Sequence, residues 1–234
     1  MSISEQLVLI REHILAAARR AGRNPNQISL MAVSKAFPAE TILEAYAAGQ
    51  RLFGENRVQE FAEKLPQLTR LQGACFHMIG HLQSNKAAKA AEIFDAVDSV
   101  ASAKLAQGLN QAAKKLGKTL EVLIEINVGG EPAKSGLPPD APEIEAILSQ
   151  SPQWPQLQIR GLMTVPPYTD DPEGARQYFR TLRLLRDRLA LRKFANVSLD
   201  TLSMGMSHDF EVAIEEGSTC VRIGSAIFGD RPKP

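Results

Sequence analysis

LDTLSMGMSHDFEVAIEEGSTCVRIGSAIFG, residues 199–229, is the stretch on which the fold turns. Two apolar strand-like runs, LDTLSMG from Leu199 and CVRIGSAIFG from Cys220, flank a segment whose helix is expected to begin near Ser207. Small residues and glycines close both runs. Six more apolar runs precede them: ISLMAVS from Ile28, RLFGEN from Arg51, CFHMIG from Cys75, IFDAVDSV from Ile93, LEVLIEINV from Leu120 and QIRGLMTV from Gln158. Between the runs, segments such as PAETILEAYAAG, ASAKLAQGLNQAAKKLG and EGARQYFRTLRLLRDRLA carry apolar residues at i, i+3 and i+4 and read as helices. Pro38 sits early in one of them, and Gly49 and Gly117 lie just past the ends of two.

Strands that alternate with helices pair in parallel through right-handed crossovers, and eight such units close a barrel without sheet edges. The expected fold is therefore α/β, a single (β/α)8 TIM barrel over residues 1–234 with an extra N-terminal helix. An open doubly wound sheet is the alternative. GGEPAKSGLPPDAP, from Gly129, is the richest linker candidate, but it falls between a strand and a helix, where a βα loop belongs.

Composition narrows the function. With 27 Lys and Arg against 26 Asp and Glu the formal charge is +1, so neither nucleic acid nor an anionic membrane is expected as the main partner, and a small ligand is. The N-terminal segment has helical apolar spacing but carries Glu5, Arg11 and Glu12, which argues against a signal-peptide core or a membrane span. Cys75 and Cys220 lie in apolar runs, as small buried hydrophobes do, and suggest a reducing, cytoplasmic setting with no disulfide framework. His77 and His81 share the i, i+4 spacing of two helical metal ligands, but Gly80 interrupts and no cysteine cluster is near, so no metal is expected. The basic run RTLRLLRDRLALRK, from Arg180, reads as the solvated side of an amphipathic helix rather than an RNA-binding face.

In such a barrel the reactive groups gather at the C-terminal strand ends. Lys35 follows the first run directly, and desolvation at the mouth would favour the neutral amine that condenses with an aldehyde. A strand-end lysine that only snorkels to solvent is the plainer reading of that position alone. SMGMS and RIGSAIFG add a phosphate site of the kind found after strands 7 and 8, built from backbone N–H groups, Ser hydroxyls and a helix N-terminus. Strands 1 and 8 are neighbours in a closed barrel, so amine and phosphate site would adjoin. Arg222 shares a sheet face with Gly224. It would donate to the nitrogen of a pyridine ring held there or pair with a barrel carboxylate such as Glu125, and both readings stay open.

VSKAFP around Lys35, FGENRVQE from Phe53, FHMIGHLQSNK from Phe76, GLMTV from Gly161, LSMGMSHDFEVAIEEGST from Leu202 and VRIGSAIFG from Val221 together resemble the YggS/PROSC family. These are pyridoxal phosphate homeostasis proteins, related to the N-terminal barrel of alanine racemase (fold type III), and the resemblance runs along essentially the whole chain. It implies pyridoxal 5′-phosphate (PLP) held as a Schiff base on Lys35, with Arg222 at the pyridine nitrogen. It also implies that Ser203, Gly224 and Ser225 bind the phosphate and that Asn56, His77, Gly80 and Met204 line the pocket.

An arginine at the ring nitrogen keeps it unprotonated and weakens the electron sink on which Cα–H chemistry relies. Racemisation also needs two acid/base groups, and in alanine racemases the second is a tyrosine on a C-terminal β-domain that this sequence does not show. Tyr46 and Tyr178 fall in helices, which leaves Tyr168 in PPYTDDP as the one tyrosine near a barrel mouth. The expectation is a carrier in vitamin B6 homeostasis without substantial catalysis, monomeric, with PLP-recipient enzymes as possible partners. A small PLP-dependent enzyme such as an amino-acid racemase, or a protein-binding scaffold, is the alternative.

Overall fold

The structure is a computed structural model that describes residues 1–230. Eight strands close into a parallel barrel in the order β1-β2-β3-β4-β5-β6-β7-β8. They are β1 (Ser29–Val33), β2 (Leu52–Glu55), β3 (Cys75–Met78), β4 (Ala96–Val100), β5 (Leu120–Glu125), β6 (Leu157–Met163), β7 (Val197–Ser203) and β8 (Cys220–Ile223). The expected (β/α)8 barrel is present.

The ring closes where β1 meets β8, with Met31 opposite Arg222 and Ala32 opposite Ile223. The seam between β7 and β8 is the thinnest, with the single ladder pair Ser203–Cys220. It is extended by Met204 N donating to Cys220 O at 3.1 Å and Arg222 N donating to Gly205 O at 2.9 Å. Gly205 makes this possible. It adopts φ +94°, and a Cβ there would lie 2.6 Å from Cβ of Ala213, so a side chain would drive the turn off the helix beneath it.

The helices are α1 (Ile3–Arg20), α2 (Ala39–Ala47), α3 (Val58–Leu68), α4 (Ala87–Ile93), α5 (Ala103–Lys115), α6 (Pro142–Gln150), α7 (Arg176–Ala190), α8 (Phe210–Glu215) and α9 (Ser225–Phe228). A capping box starts α1: Glu5 N donates to Ser2 Oγ, and Ser2 N donates to Glu5 Oε2. With four residues, α9 is too short to cover β8, and α1 packs against α8, α9 and α2 instead. It buries Leu7, Ile10, Ile14, Ala17 and Ala18, and Arg20 clamps Glu211 and Glu215 from outside.

Two apolar runs divide differently from the reading of the sequence. The run from Ile93 opens on the last residue of α4, and SAIFG after β8 is helix α9 rather than strand. Periodicity cannot separate strand from buried helix over so few residues. Phe94 and Phe61 stack at 4.7 Å, within a buried aromatic group that includes Phe53 and Phe76 between the barrel wall and α3. No helix among the described residues is long and apolar enough to cross a membrane.

Candidate cofactor site

A cavity of about 1080 Å³ opens among the loops that follow the strands. Lys35, Asn56, Gly80, Arg222, Gly224 and Ser225 line it together. His77, Ser203 and Met204, expected among the pocket residues, do not. Each stands one level below the mouth, within or directly after its strand.

Ser203 is fully buried and accepts a bond from Arg222 Nη1 at 2.7 Å, while Nη2 donates to Thr164 O at 2.6 Å. Arg222 makes no ion pair with a carboxylate among the described residues, so the Glu125 pairing weighed from the sequence does not form. The guanidinium has five N–H groups and these two bonds use two of them. It is oriented from below and keeps donors for a group in the cavity. Burial works against its charge and lowers its pKa.

His77 is tied to Asp98, with Nδ1 donating to Oδ1 at 3.0 Å. Burial alone would push the imidazole pKa down, but the charge of Asp98 and this bond outweigh it and hold the pKa up at about 10. Its role is in the barrel interior. Among the described residues no group of three or more His, Cys, Asp and Glu could hold a metal ion.

Lys35 is half-buried at the end of β1, and the chain on both sides of it is held. Ser34 Oγ donates to Glu55 Oε1 at 2.8 Å. Lys64, buried on α3, donates to Ser34 O at 3.1 Å, to Glu55 Oε1 at 2.9 Å and to Glu60 Oε1 at 2.7 Å. Glu60 Oε1 in turn accepts Ala36 N at 2.6 Å. Ala36 adopts φ +65°, a left-handed conformation that costs an L-residue energy and persists where its surroundings impose it. Burial outweighs Lys64 at Glu55 and raises its pKa. At Glu60 burial is overcome by the bonds from Lys64 and the Ala36 amide, and the pKa is lowered.

Across the β1–β8 seam the chain offers backbone instead. Gly224 N and Ala226 N both point at Ser207 Oγ, at 3.3 and 3.4 Å. Ser207, Gly224 and Ser225 line the cavity wall, and the serine hydroxyls, with the amides that converge on Ser207 Oγ behind them, form a cradle suited to anionic oxygens. Met206 N is fixed by buried Asp209 at 2.6 Å. Ser207 is not among the residues expected from the sequence, although it lies inside SMGMS. The left-handed turn at Gly205 carries this second hydroxyl, rather than that of Ser203, to the mouth.

A lysine amine, an anion cradle and a guanidinium with spare donors fit a phosphorylated pyridine aldehyde. The buried oxygen Glu125 Oε2, on the same cavity and without a partner among the described residues, fits a ligand that completes the site.

The fold and these residues define a barrel of the alanine racemase N-terminal class, and the family described as "Alanine racemase, N-terminal domain" matches residues 7–232. Alanine racemase from Clostridium difficile 630 shares this fold at TM-score 0.68 and 17% identity, over 95% of this chain and 57% of that one. Much greater similarity is found to the curated "Pyridoxal phosphate homeostasis protein" of Aquifex aeolicus (strain VF5), 44% identical over 99% of both chains. The Escherichia coli (strain K12) protein of the same name is 43% identical over 98% of this chain and 97% of its own. PipY, the COG0325 family member of Synechococcus elongatus PCC7942, whose structure has PLP bound, matches at TM-score 0.84 and 39% identity over 97% of this chain and 100% of that one. The chain belongs to the pyridoxal phosphate homeostasis protein family.

Proposed function

We propose that this chain binds PLP in the cavity as a Schiff base on Lys35 and acts in vitamin B6 homeostasis as a carrier, without substantial catalysis. The observation that carries this reading is the convergence of Lys35, Arg222 and the Gly224–Ser225 cradle on one cavity. The names of the 43–44% identical relatives and the PLP in PipY support it.

The Lys35 amine adds to the aldehyde carbon, and loss of one water leaves the imine. The cradle amides with Ser207 and Ser225 hold the phosphate, and Arg222 donates to the ring nitrogen. Bound PLP supplies an electron sink, which Arg222 weakens because a guanidinium gives up no proton to the ring. Asn56 and Gly80 are proposed as further pocket contacts. We also propose that residues 1–234 act as one domain, as a monomer in the cytoplasm, and pass the cofactor to PLP-recipient enzymes.

The test is an absorbance spectrum of wild type and Lys35→Ala with added PLP, followed by borohydride and then by L- and D-alanine. A visible band absent from Lys35→Ala, a borohydride-fixed label on Lys35 and no racemisation are expected. Racemisation at enzymic rates would favour the amino-acid racemase reading, and no lysine-bound chromophore in wild type would sink the proposal.

A further inference from the structure

The turn after β7 that carries Ser207 to the cavity is half-buried at Met206 and Ser207 and exposed at His208, and it closes on Asp209, which is 7% exposed. Met206 N donates to Asp209 Oδ1 at 2.6 Å, Asp209 N donates to Met206 O at 3.1 Å, and Phe210 N donates to the same carbonyl at 2.9 Å. The last two bonds are backbone. The first hangs on the Asp209 side chain, and it is the one that satisfies the amide next to Ser207. Met206, Ser207 and His208 line the cavity and Asp209 does not. Its carboxyl thus stands behind the wall and acts on the cavity only through the turn in front of it.

A hydroxyl has one proton to give and two lone pairs to offer. At Ser207 Oγ the lone pairs face the amides of Gly224 and Ala226, at 3.3 and 3.4 Å, so the proton is left for an acceptor elsewhere, on a side chain that lines the cavity. A donor so placed discriminates between ligands. It strengthens the hold on an anionic oxygen and adds nothing for an aldehyde that carries none. Its worth depends on direction, because a hydrogen bond weakens steeply as its angle closes below about 120°. The charge of a carboxylate behind an anion site works against the anion, so what Asp209 contributes to binding is the acceptor at Oδ1 that fixes the turn.

We propose that Asp209 is a positioning residue that sets the preference of the cavity for a phosphorylated over an unphosphorylated pyridine aldehyde, by holding Met206 N and with it the turn that aims the Ser207 hydroxyl. This rests on the proposed function. It separates the choice of ligand from the covalent step: Lys35 condenses with the aldehyde whichever ligand brings it, and the geometry set by Asp209 favours the one that carries a phosphate.

The experiment incubates cofactor-stripped wild type, Asp209→Asn and Asp209→Ala with PLP or with 5′-deoxypyridoxal, which has the same aldehyde and no phosphate. It reads, by mass spectrometry, the rate at which cyanoborohydride fixes each ligand on Lys35 at low ligand concentration. Asparagine keeps the acceptor and alanine does not. In wild type PLP should label faster than 5′-deoxypyridoxal. Asp209→Ala should lower that ratio about tenfold, the scale of one hydrogen bond to a charged group, with the 5′-deoxypyridoxal rate within about twofold of wild type. Asp209→Asn should keep the ratio within about twofold of wild type or raise it, since it drops the opposing charge. Should Asp209→Ala not fold, Asp209→Leu replaces it, filling the volume without an acceptor. Equal labelling by the two aldehydes in wild type, an unchanged ratio in the variant without an acceptor, or an Asp209→Asn ratio as low as that of Asp209→Ala overturns the positioning role while the proposed function stands. Equal slowing of both aldehydes leaves the ratio unchanged and marks a merely structural role. No label on Lys35 from PLP in wild type overturns both proposals.

Discussion

The two sides of the cavity solve the same problem with different materials. On the β1–β2 side, Lys35 is placed by charge: Ser34, Glu55, Lys64 and Glu60 form a connected hydrogen-bonded set, in which Glu55 Oε1 takes both bonds and Glu55 Oε2 stays buried without a partner among the described residues. On the β7–β8 side the site is built from backbone amides and hydroxyls around Gly205, Ser207 and Gly224. The contrast is sharpest at the left-handed residue each side requires, which is Gly205 at φ +94° in one case and Ala36 at φ +65° in the other. A covalent anchor needs one direction in space, and buried ion pairs with fixed partners define direction. An anion is satisfied by several amides of roughly right orientation, which a glycine-rich turn provides.

If that division is correct, the charged side is the more fragile. Lys64→Met should cost about 3 kcal/mol in urea unfolding at neutral pH, at the low end for breaking a buried pair because Glu55 can relieve itself by taking a proton. Since burial raises the Glu55 pKa in the folded chain, that carboxyl favours the folded state at low pH and loses this contribution as pH rises through its folded pKa. The deficit of Lys64→Met should therefore shrink on acidification. A deficit independent of pH would mean that Glu55 is not the group left exposed by the change.

On the other side, Gly205→Ala should cost about 2 kcal/mol, from the left-handed backbone and the contact with Ala213, and should weaken PLP retention along with it. Thermal melting with and without PLP separates the two effects. If stability falls and retention does not, the cradle is independent of the turn that delivers Ser207.

Between the two sides lies the His77–Asp98 pair in the barrel interior. A histidine pKa held at about 10 contributes stability that is complete below its unfolded value, about 6.5, and is lost as pH rises toward 10. In wild type the His77 ring resonances should show no titration near neutrality, whereas Asp98→Asn should bring the midpoint down into or below the ordinary histidine range. A wild-type midpoint near 6.5 would show that Asp98 does not hold the proton.

How much of this could be read in the sequence follows from the same contrast. Eight apolar runs count the strands, and a lysine after the first and glycines after the last two mark amine and cradle, because strand ends map directly onto the mouth. Residues whose role depends on how one element docks on another are not marked that way. Glu60 and Lys64 read as an ordinary i, i+4 pair on α3, and it is the seating of α3 under the β1 turn that makes them supports of Lys35. The resemblance implies Ser203 at the phosphate and does not single out Ser207, and the turn at Gly205, which decides which hydroxyl reaches the cavity, is a backbone angle that residue types do not show. The resemblance implies His77 in the pocket, but a strand end is uncertain by a residue or two from sequence, and one level of the barrel separates lining from interior. Glu125 reads from the sequence as one possible partner for Arg222, but the loop after β5 returns Ser135 to its Oε1 instead.

Ala36→Gly probes the comparison most finely and has the smallest expected effect. Glycine relieves a left-handed φ that costs an alanine about 1–2 kcal/mol, but it adds freedom to the unfolded chain worth about 0.5–1 kcal/mol. The net should lie between about 0 and 1.5 kcal/mol of stabilisation, measurable as a small rise in the urea midpoint. The functional effect should run the other way. With glycine at 36 the turn no longer depends on Glu60 to impose its conformation, so the lysine adduct should form more slowly at a given PLP concentration even as the fold becomes more stable. Gains in both stability and rate would show that the strain at Ala36 is incidental. A gain in one with a loss in the other is what separates a turn that aims Lys35 from one that only connects β1 to α2.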